Sequence, residues 1–238
     1  YGALSNSTTG GFNTALGKSA LSSNTTASHN TAVGKSALVN NTTGSYNVAV
    51  GSEALTNIDN NGADGSVAIG REALKALTSS TGNVAIGYQA GLRHTSGSGG
   101  VYIGHKAADH CTDGHRNIAI GEASLSGNAD DDNVAIGYGA LGVCLGSNNV
   151  AVGKDAGNVI ATGLNNTIIG KGSDPSANNA TNQTVIGFAV TGVADNSVVL
   201  GNAAVTKVYM SSDGDAEIYA NGTINTSDRR LKENINDS

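Results

Sequence analysis

Histidine and cysteine are the side chains in this sequence best suited to metal or redox chemistry, and four of the five histidines are clustered. The clustered residues are His94, His105, His110, Cys111 and His115. Imidazole nitrogens and thiolates are good ligands for transition metals, so a metal site is one interpretation. Because the surrounding sequence is polar and rich in loop-forming residues, we favour the alternative that these are surface histidines and that no metal is bound.

The two cysteines, Cys111 and Cys144, are too few to form a disulfide framework. They occupy the same phase of a repeat that is described below, but they lie two repeats apart. The resulting separation of roughly 9–10 Å exceeds the reach of a disulfide. Both thiols are therefore predicted to be free.

The acidic side chains do not follow a pattern typical of catalysis or of calcium binding. Glycoside hydrolases need paired carboxylates in a cleft, whereas the acidic residues here are scattered through loop-like sequence. The run Asp130–Asp132 lacks the ligand spacing of a known calcium loop, which favours a solvated loop. We expect no cofactor and no metabolic enzyme activity in this segment.

The overall composition favours a thin, elongated structure. The 238 residues include 34 glycines, seven tyrosines, two phenylalanines and no tryptophan. Charged residues make up 13% of the chain, about half the usual share. The net charge is −6, and no cluster of Lys and Arg suited to nucleic acid is visible in the sequence. No apolar run is long enough to span a membrane.

A repeat of about 17 residues must position all of these side chains. It is marked by a glycine that follows a β-branched residue, a small residue and a large aliphatic residue, as in Asn83-Val84-Ala85-Ile86-Gly87. Positions are numbered here from this marker glycine, so that Ala85 is at −2 and Tyr88 at +1. The marker glycines are Gly17, Gly34, Gly51, Gly70, Gly87, Gly104, Gly121, Gly137, Gly153, Gly170, Gly187 and Gly201, spaced by 17, 17, 19, 17, 17, 17, 16, 16, 17, 17 and 14 residues.

Each repeat is predicted to form one coil of a parallel β-solenoid. The β-branched residues favour a strand of about four residues, and its apolar character on both sides indicates burial of both faces. A second apolar pair, such as Ala20-Leu21, predicts a second short strand in the coil. The remaining Ser, Thr, Asn, Gly and Asp residues suit turns. Twelve coils at the ordinary strand spacing of ~4.8 Å would stand roughly 55–60 Å tall.

Two recurrent residues have expected structural roles. The asparagine at −4 suits a turn, where its side chain can cap backbone groups and stack on the asparagine of the next coil. The marker glycine suits a close backbone approach or a positive φ.

One face of each strand fills the coil interior, and the other would form an exposed apolar stripe, which is a marker of association. Rotational symmetry would bury this stripe against identical chains. We expect the aliphatic residues at −1 and −3 to lie inside the coil and the alanine at −2 to face the symmetry axis. The reverse orientation satisfies the same pattern, and the pattern does not determine the number of chains.

The Asn-x-Ala-Ile-Gly repeat over residues 1–201 resembles the head of YadA-like trimeric autotransporter adhesins. This resemblance implies an all-β fold, a left-handed parallel β-roll of about twelve 16–17-residue coils, in a homotrimer. Residues 1–202 would form this domain. Because Tyr1-Gly2-Ala3-Leu4 matches Tyr138-Gly139-Ala140-Leu141, the sequence is expected to begin in the middle of a coil, as a piece of a longer protein.

The last residues differ from the repeat. Residues 203–226 are predicted to form a short β-stranded neck or connector, and residues 227–238 the truncated start of a further domain. The segment from Ser227 to Ile235, S-D-R-R-L-K-E-N-I, resembles the start of the intramolecular chaperone domain of endosialidases and phage tail fibres. In that family the chaperone drives trimerisation and is released by self-cleavage.

The chaperone resemblance implies that Ser227 is the nucleophile of this self-cleavage and Lys232 its base. The pairing is chemically reasonable, because a serine hydroxyl needs a nearby base and a desolvated lysine can serve. The alternative is that Ser227 only caps a helix that begins at Asp228.

Together these features predict a structural and adhesive trimeric fibre, namely a phage tail fibre or a bacterial surface adhesin. It would be extracellular and would mediate or space attachment to a cell-surface glycan or protein receptor. The alternative is part of a glycan-degrading tailspike whose catalytic domain lies outside this segment. Exposed aromatic residues at +1, namely Tyr88, Tyr138 and Phe188, are expected to cover the coil edge rather than to stack on sugars.

A third and weaker hypothesis is an ice-binding solenoid. Threonine pairs recur at one phase, at Thr8-Thr9, Thr25-Thr26 and Thr42-Thr43. Adjacent threonines on a strand would point in opposite directions, however, and the paired ladder ends after the third copy.

Overall fold

The computed structural model describes residues 2–58 and 63–208, which fold into a parallel β-solenoid without helices. Twelve strands form one sheet in chain order. The strands are β1 (Thr14–Leu16), β2 (Thr31–Val33), β3 (Val48–Val50), β4 (Val67–Ile69), β5 (Val84–Ile86), β6 (Val101–Ile103), β7 (Ile118–Ile120), β8 (Val134–Ile136), β9 (Val150–Val152), β10 (Thr167–Ile169), β11 (Thr184–Ile186) and β12 (Val198–Leu200). The predicted all-β solenoid with one coil per repeat is confirmed.

Every strand pairs with the next at identical repeat positions. In β4 and β5, for example, Val67 pairs with Val84 and Ala68 with Ala85. The register holds between β3 and β4, although their marker glycines are 19 residues apart, and between β11 and β12, where the interval is 14. Differences in repeat length are therefore absorbed in the loops, and the strands stay aligned.

The orientation of the strand faces is the reverse of the one expected from the sequence. Alanine at −2 lies inside the coil, as Ala85 does with no exposed surface, whereas Ile86 at −1 keeps 37% of its surface exposed. The prediction that the −1 and −3 aliphatics lie inside is wrong. The reason is space: a leucine at +4, such as Leu74, is fully buried in the same interior and leaves room there only for a methyl group.

The second apolar pair forms a turn, so the predicted second strand is absent from the described coils, and the one strand of each coil is three residues long. The turn gives Leu21 a φ of 50° and Leu38 a φ of 52°. A left-handed conformation costs a non-glycine residue roughly 1–2 kcal/mol, and full burial of a leucine contributes about 1.5–3 kcal/mol. Burial therefore offsets the backbone strain. The coils still hydrogen-bond here, with Leu21 N donating to Ala37 O at 3.0 Å.

The marker glycines satisfy both conditions that the sequence suggested. Gly34 has a φ of 135°, and a Cβ built on it would lie 2.5 Å from the carbonyl oxygen of Gly51. The equivalent contact of Gly104 is 2.6 Å, to the carbonyl oxygen of Gly121. A side chain at this position would collide with the backbone of the next coil.

The asparagines at −4 form the predicted ladder along the solenoid. Oδ1 of Asn30 accepts a hydrogen bond from the backbone N of Asn47 at 2.9 Å. Nδ2 of Asn47 donates to the carbonyl oxygen of Ala63 at 2.6 Å, so one side chain joins its own coil to the next. The same bonds recur between Asn133, Asn149 and Asn166. These buried amides satisfy backbone groups that the short strands leave unpaired.

The chain divides into two compact units, Tyr1–Asn202 and Ala203–Ser238. In the second unit the structure describes only residues 203–208, which form a turn followed by irregular backbone. The remainder of the predicted neck and all of the predicted chaperone segment lie outside the described residues. No helix that could cross a membrane occurs in the described ranges.

Candidate functional site

Of the clustered histidines, His94 lies inside the solenoid and not on its surface. It has no exposed surface, and Nε2 lies 2.6 Å from the carbonyl oxygen of Gly97, to which it donates. Nδ1 then accepts from the hydroxyl of Tyr102 at 3.4 Å. Burial lowers the pKa of His94, so the neutral imidazole is favoured. Both ring nitrogens are engaged in structural hydrogen bonds, and neither is available to a metal ion.

The other three clustered histidines lie at separate surface positions. His105 stacks on Tyr88 with ring centroids 5.4 Å apart, and Nδ1 of His110 lies 3.0 Å from Oδ1 of Asp109. His115 accepts a hydrogen bond from the backbone N of Ser98 at 3.1 Å. Among the residues that the structure describes, no group of three or more His, Cys, Asp or Glu side chains is arranged to hold a metal ion.

Cys111 and Cys144 are both free, as the sequence predicted, and the structure shows that both are buried. Each thiol lies close to a carbonyl oxygen, at 3.4 Å from Ala129 and 3.6 Å from Gly146. Burial raises the pKa of Cys111 and raises that of Cys144 to about 11. A thiol that stays protonated is a poor nucleophile and metal ligand, so these residues act as small apolar side chains.

The aromatic residues at +1 pack against cations along the coil edge. The guanidinium of Arg71 lies 5.7 Å from the ring centroid of Tyr88, and His105 covers the opposite face of that ring. The same contact recurs for Lys154 with Tyr138 at 5.3 Å and for Lys171 with Phe188 at 5.8 Å. Residues of the preceding and the following coil therefore contact the Tyr88 ring, which favours the expected packing role for this residue. Tyr138 and Phe188 keep 51% and 63% of their surface exposed.

The aspartates of residues 130–132 do not form a calcium loop. Asp131 and Asp132 pair with Arg116, whose Nε lies 2.6 Å from Oδ1 of Asp132. The hydrogen bond from Arg116 lowers the pKa of Asp132. Asp130 is exposed and lies apart from this pair, beside a groove described below.

The threonines at +8 use their hydroxyls within the fold. Oγ1 of Thr8 donates to the carbonyl oxygen of Thr25 at 2.9 Å, and Oγ1 of Thr25 to that of Thr42 at 3.1 Å. This single-threonine ladder resumes farther along the solenoid, where Thr78 donates to Thr95 and Thr95 to Thr112. Because these donors already bind backbone carbonyls, the ladder stabilises coil stacking and gives no support to the ice-binding hypothesis.

The outer face of the sheet carries two parallel columns of apolar side chains, at −3 and −1. Ile69, Ile86, Ile136, Ile169 and Ile186 in the −1 column each keep 37–38% of their surface exposed. The residues at −3 are mainly valine, with threonine near both ends of the sheet. We call these two columns the outer sheet face. It is continuous through the in-register strands and contains no charged residue.

A surface groove with two lobes extends over several coils outside the strands and was not foreseen from the sequence. The first lobe has a volume of about 510 Å³ and is lined by Arg93, His110, Ser126, Gly127, Asn128 and Val143 among others. The second has a volume of about 400 Å³ and is lined by Asn128, Asp130, Leu145 and Leu164 among others. Asn128 belongs to both lobes, and we call the whole depression the Asn128 groove.

The Asn128 groove results from a local irregularity of the repeat. The coils between Gly121 and Gly137 and between Gly137 and Gly153 each have 16 residues instead of 17, and the first of them carries Gly127 at +6 in place of a side chain. A Cβ on Gly127 would lie 2.3 Å from the carbonyl oxygen of Cys144, so the backbone approaches the next coil closely here. The two short intervals and Gly127 were the sequence signals that marked this place.

Ser227 and Lys232, the residues predicted for self-cleavage, both lie outside the described residues, so their roles stay predictions. Comparisons of the chain with known protein families, curated proteins and solved structures find no significant match. The functional argument therefore depends on the outer sheet face and on the Asn128 groove.

Proposed function

We propose that this chain forms the shaft or head of a homotrimeric extracellular fibre, in which the outer sheet faces of three copies pack around the symmetry axis. The observation that carries the proposal is the continuous, charge-free outer sheet face. Parallel sheets are normally covered on both faces. A parallel sheet with one uncovered face that is lined mainly by β-branched side chains is therefore unusual.

The size of the outer sheet face supports self-association. Twelve strands at ~4.8 Å and three residues at ~3.3 Å give a face of about 53 Å by 10 Å, on the order of 500 Å². That is near the upper limit for an apolar patch on a monomeric protein. A second copy of this chain matches the face coil by coil, because its strands have the same spacing and length, and cyclic symmetry brings identical positions together at every level.

The role that fits such a rod is attachment or spacing at a cell surface, as a phage tail fibre or a bacterial surface adhesin with a glycan or protein receptor. The two thiols and His94 are buried inside the coils, and the threonines donate hydrogen bonds from one coil to the next, so these groups serve the fold. The described coils thus resemble a scaffold more than a catalytic centre. The C-terminal segment would assist maturation, with Ser227 as nucleophile and Lys232 as base of the self-cleavage.

The assembly is tested by sedimentation velocity and native mass spectrometry of the full chain. We expect a species of three times the chain mass that persists on dilution. Ile86→Asp places three carboxylates around the axis and should dissociate the trimer, because like charges in an apolar interface are costly. Ser96→Asp adds the same charge at an exposed loop position of the adjoining coil and should leave the trimer intact. A stable, folded monomer of the unmodified chain would refute the proposal.

Maturation is tested on the protein expressed with whatever sequence follows Ser238 in its gene. Release of a C-terminal fragment is expected by mass spectrometry, and both Ser227→Ala and Lys232→Ala should prevent it. A Ser227→Ala variant that is still cleaved at the same bond would exclude Ser227 as the nucleophile.

A further inference from the structure

Arg93 is a cation at one end of the Asn128 groove. Its side chain is exposed, and among the described residues it forms no ion pair or hydrogen bond. Arg71 and Arg116, in contrast, pair with Glu72 at 3.3 Å and with Asp132 at 2.6 Å. The five N–H donors of the Arg93 guanidinium are therefore available, and their planar arrangement matches a carboxylate.

The remaining polar groups of the first lobe are suited to hydroxyl groups. Oδ1 of Asn128 accepts from the backbone N of Thr112 at 2.8 Å and from its Oγ1 at 2.7 Å. These two bonds orient the amide, so that Nδ2 is left as a donor without a partner among the described residues. The hydroxyl of Ser126 and the imidazole of His110 line the same lobe.

Apolar side chains and one carboxylate continue the groove into the second lobe. Val143 is 53% exposed, Leu145 46% and Leu164 41%, so each offers an aliphatic surface beside the polar groups. Asp130 lies among them and can accept hydrogen bonds from hydroxyl groups. From Arg93 to Leu164 the groove crosses four coil steps, roughly 19 Å, and a few polar groups on an apolar floor are typical of ligand sites.

From this arrangement we infer that the Asn128 groove binds an acidic oligosaccharide, with its carboxylate on Arg93 and its neutral sugar units extending over Val143 and Leu145 past Asn128. This inference rests on the proposed role as an attachment fibre and names its receptor as a carboxylate-bearing glycan. A polyanion such as nucleic acid does not fit, because Arg93 is the only arginine or lysine among the described residues that line the two lobes, and Asp130 lines the second lobe.

The inference is tested by calorimetric titration of the assembled protein with defined probes. Sialyllactose and glucuronosyl-xylotriose each carry one carboxylate, whereas lactose and xylotriose are their neutral counterparts. At least one acidic probe should bind about tenfold to hundredfold more tightly than its neutral counterpart. Arg93→Gln should reduce binding of that probe to the neutral level, and Arg71→Gln, which removes a charge outside the groove, should leave it unchanged.

Three results would overturn the inference: no binding of either acidic probe, equal binding of the acidic and neutral forms, or binding that Arg93→Gln does not affect.

Sedimentation of the same samples separates this inference from the proposed function. The groove contains no residue of the outer sheet face, so loss of the trimer refutes the fibre while glycan binding remains measurable. A trimer without glycan binding refutes the groove alone. Release of shortened sugars would instead favour a glycan-degrading tailspike.

Discussion

The ring of Tyr102 fills the space that a side chain on Gly91 would need. A Cβ on Gly91 would lie 2.8 Å from Cδ2 of Tyr102. Most coils carry leucine at +4, where Gly91 stands, and alanine at −2, where Tyr102 stands. In this coil the small residue is therefore at +4 and the large one at −2, the reverse of most other coils. The two side chains together fill a similar volume of the interior. Gly157 and Ile168 show the same exchange in the sequence farther along the solenoid. The side chains nearest to a Cβ on Gly157 are those of Leu141 and Ile160.

This complementarity predicts non-additive stability changes. Tyr102→Ala should lower the free energy of unfolding by about 3–5 kcal/mol, because it leaves a cavity. Gly91→Leu should also destabilise, by about 1–3 kcal/mol, through overpacking against Tyr102. The double variant restores the leucine–alanine combination of the other coils and should be more stable than Tyr102→Ala alone. Urea unfolding of the three variants measures the coupling, and strictly additive effects would show that the two sites are independent.

Substitution of a marker glycine should be much more harmful than substitution of a loop glycine. In Gly104→Ala the new Cβ would meet the carbonyl oxygen of Gly121 at 2.6 Å, at a φ of 137°. We expect a loss of about 3 kcal/mol or more. Gly11→Ala is the matched control, since nothing lies within 4 Å of its Cβ and its φ is not positive. Thermal and urea unfolding should show little change for this control, and equal losses in both variants would contradict the coil-to-coil clash.

Buried His94 predicts a stability that falls in mild acid. Its folded pKa is lowered by burial, so below about pH 6.5 the unfolded chain binds a proton that the folded chain excludes. The contribution of His94 is complete above this pH. It decreases as the pH falls further, with a slope of up to about 1.4 kcal/mol per pH unit.

The matched variant for this prediction is His94→Asn. Asn41 occupies the same position of an earlier coil and donates Nδ2 to Gly44 O at 2.8 Å, just as His94 donates to Gly97 O. The asparagine therefore keeps this hydrogen bond without a titrating group. Urea unfolding between pH 7.5 and pH 5 should show a smaller acid loss for the variant than for the unmodified protein. Parallel pH profiles would show that His94 does not titrate on unfolding.

The two thiols should be unreactive in the folded protein. Cys111 and Cys144 are fully buried, and burial raises the pKa of both, so the thiolate fraction at pH 8 is small. Treatment with iodoacetamide at pH 8 should leave the native mass unchanged, whereas treatment in denaturant should add two carbamidomethyl groups. Rapid native modification of either cysteine would indicate that the coils around it open easily.

Several features could be predicted from the sequence because they depend on the repeat alone. A constant spacing of glycine, asparagine and β-branched residues is sufficient to place Val67 beside Val84 and Asn30 beside Asn47 in a stacked coil. The distance between Cys111 and Cys144 also follows from the number of coils between them. To reach these conclusions it is enough to know which residues occupy the same position of successive repeats. Every repeat shows the same pattern.

Other features depended on how the coil closes on itself. The alternation of Val84, Ala85 and Ile86 is equally apolar on both sides, so it does not distinguish the inside from the outside. The left-handed turn at Leu74, with a φ of 47°, directs that leucine inward and leaves space only for alanine opposite it. Because the direction of a side chain in such a turn follows from backbone angles and not from apolar periodicity, the tertiary structure alone decided that isoleucine faces outward.

For the Asn128 groove, too, one part could be inferred from the sequence and another part only from the tertiary structure. The sequence by itself determined a solenoid in which two successive coils, between Gly121 and Gly153, are each a residue short. Only the tertiary structure decided that a depression opens here beside Arg93, whose guanidinium forms no ion pair with an acidic side chain in the described part of the chain. The physical reason is that side-chain pairing across coils depends on loop geometry, and loop geometry changes wherever the repeat length does.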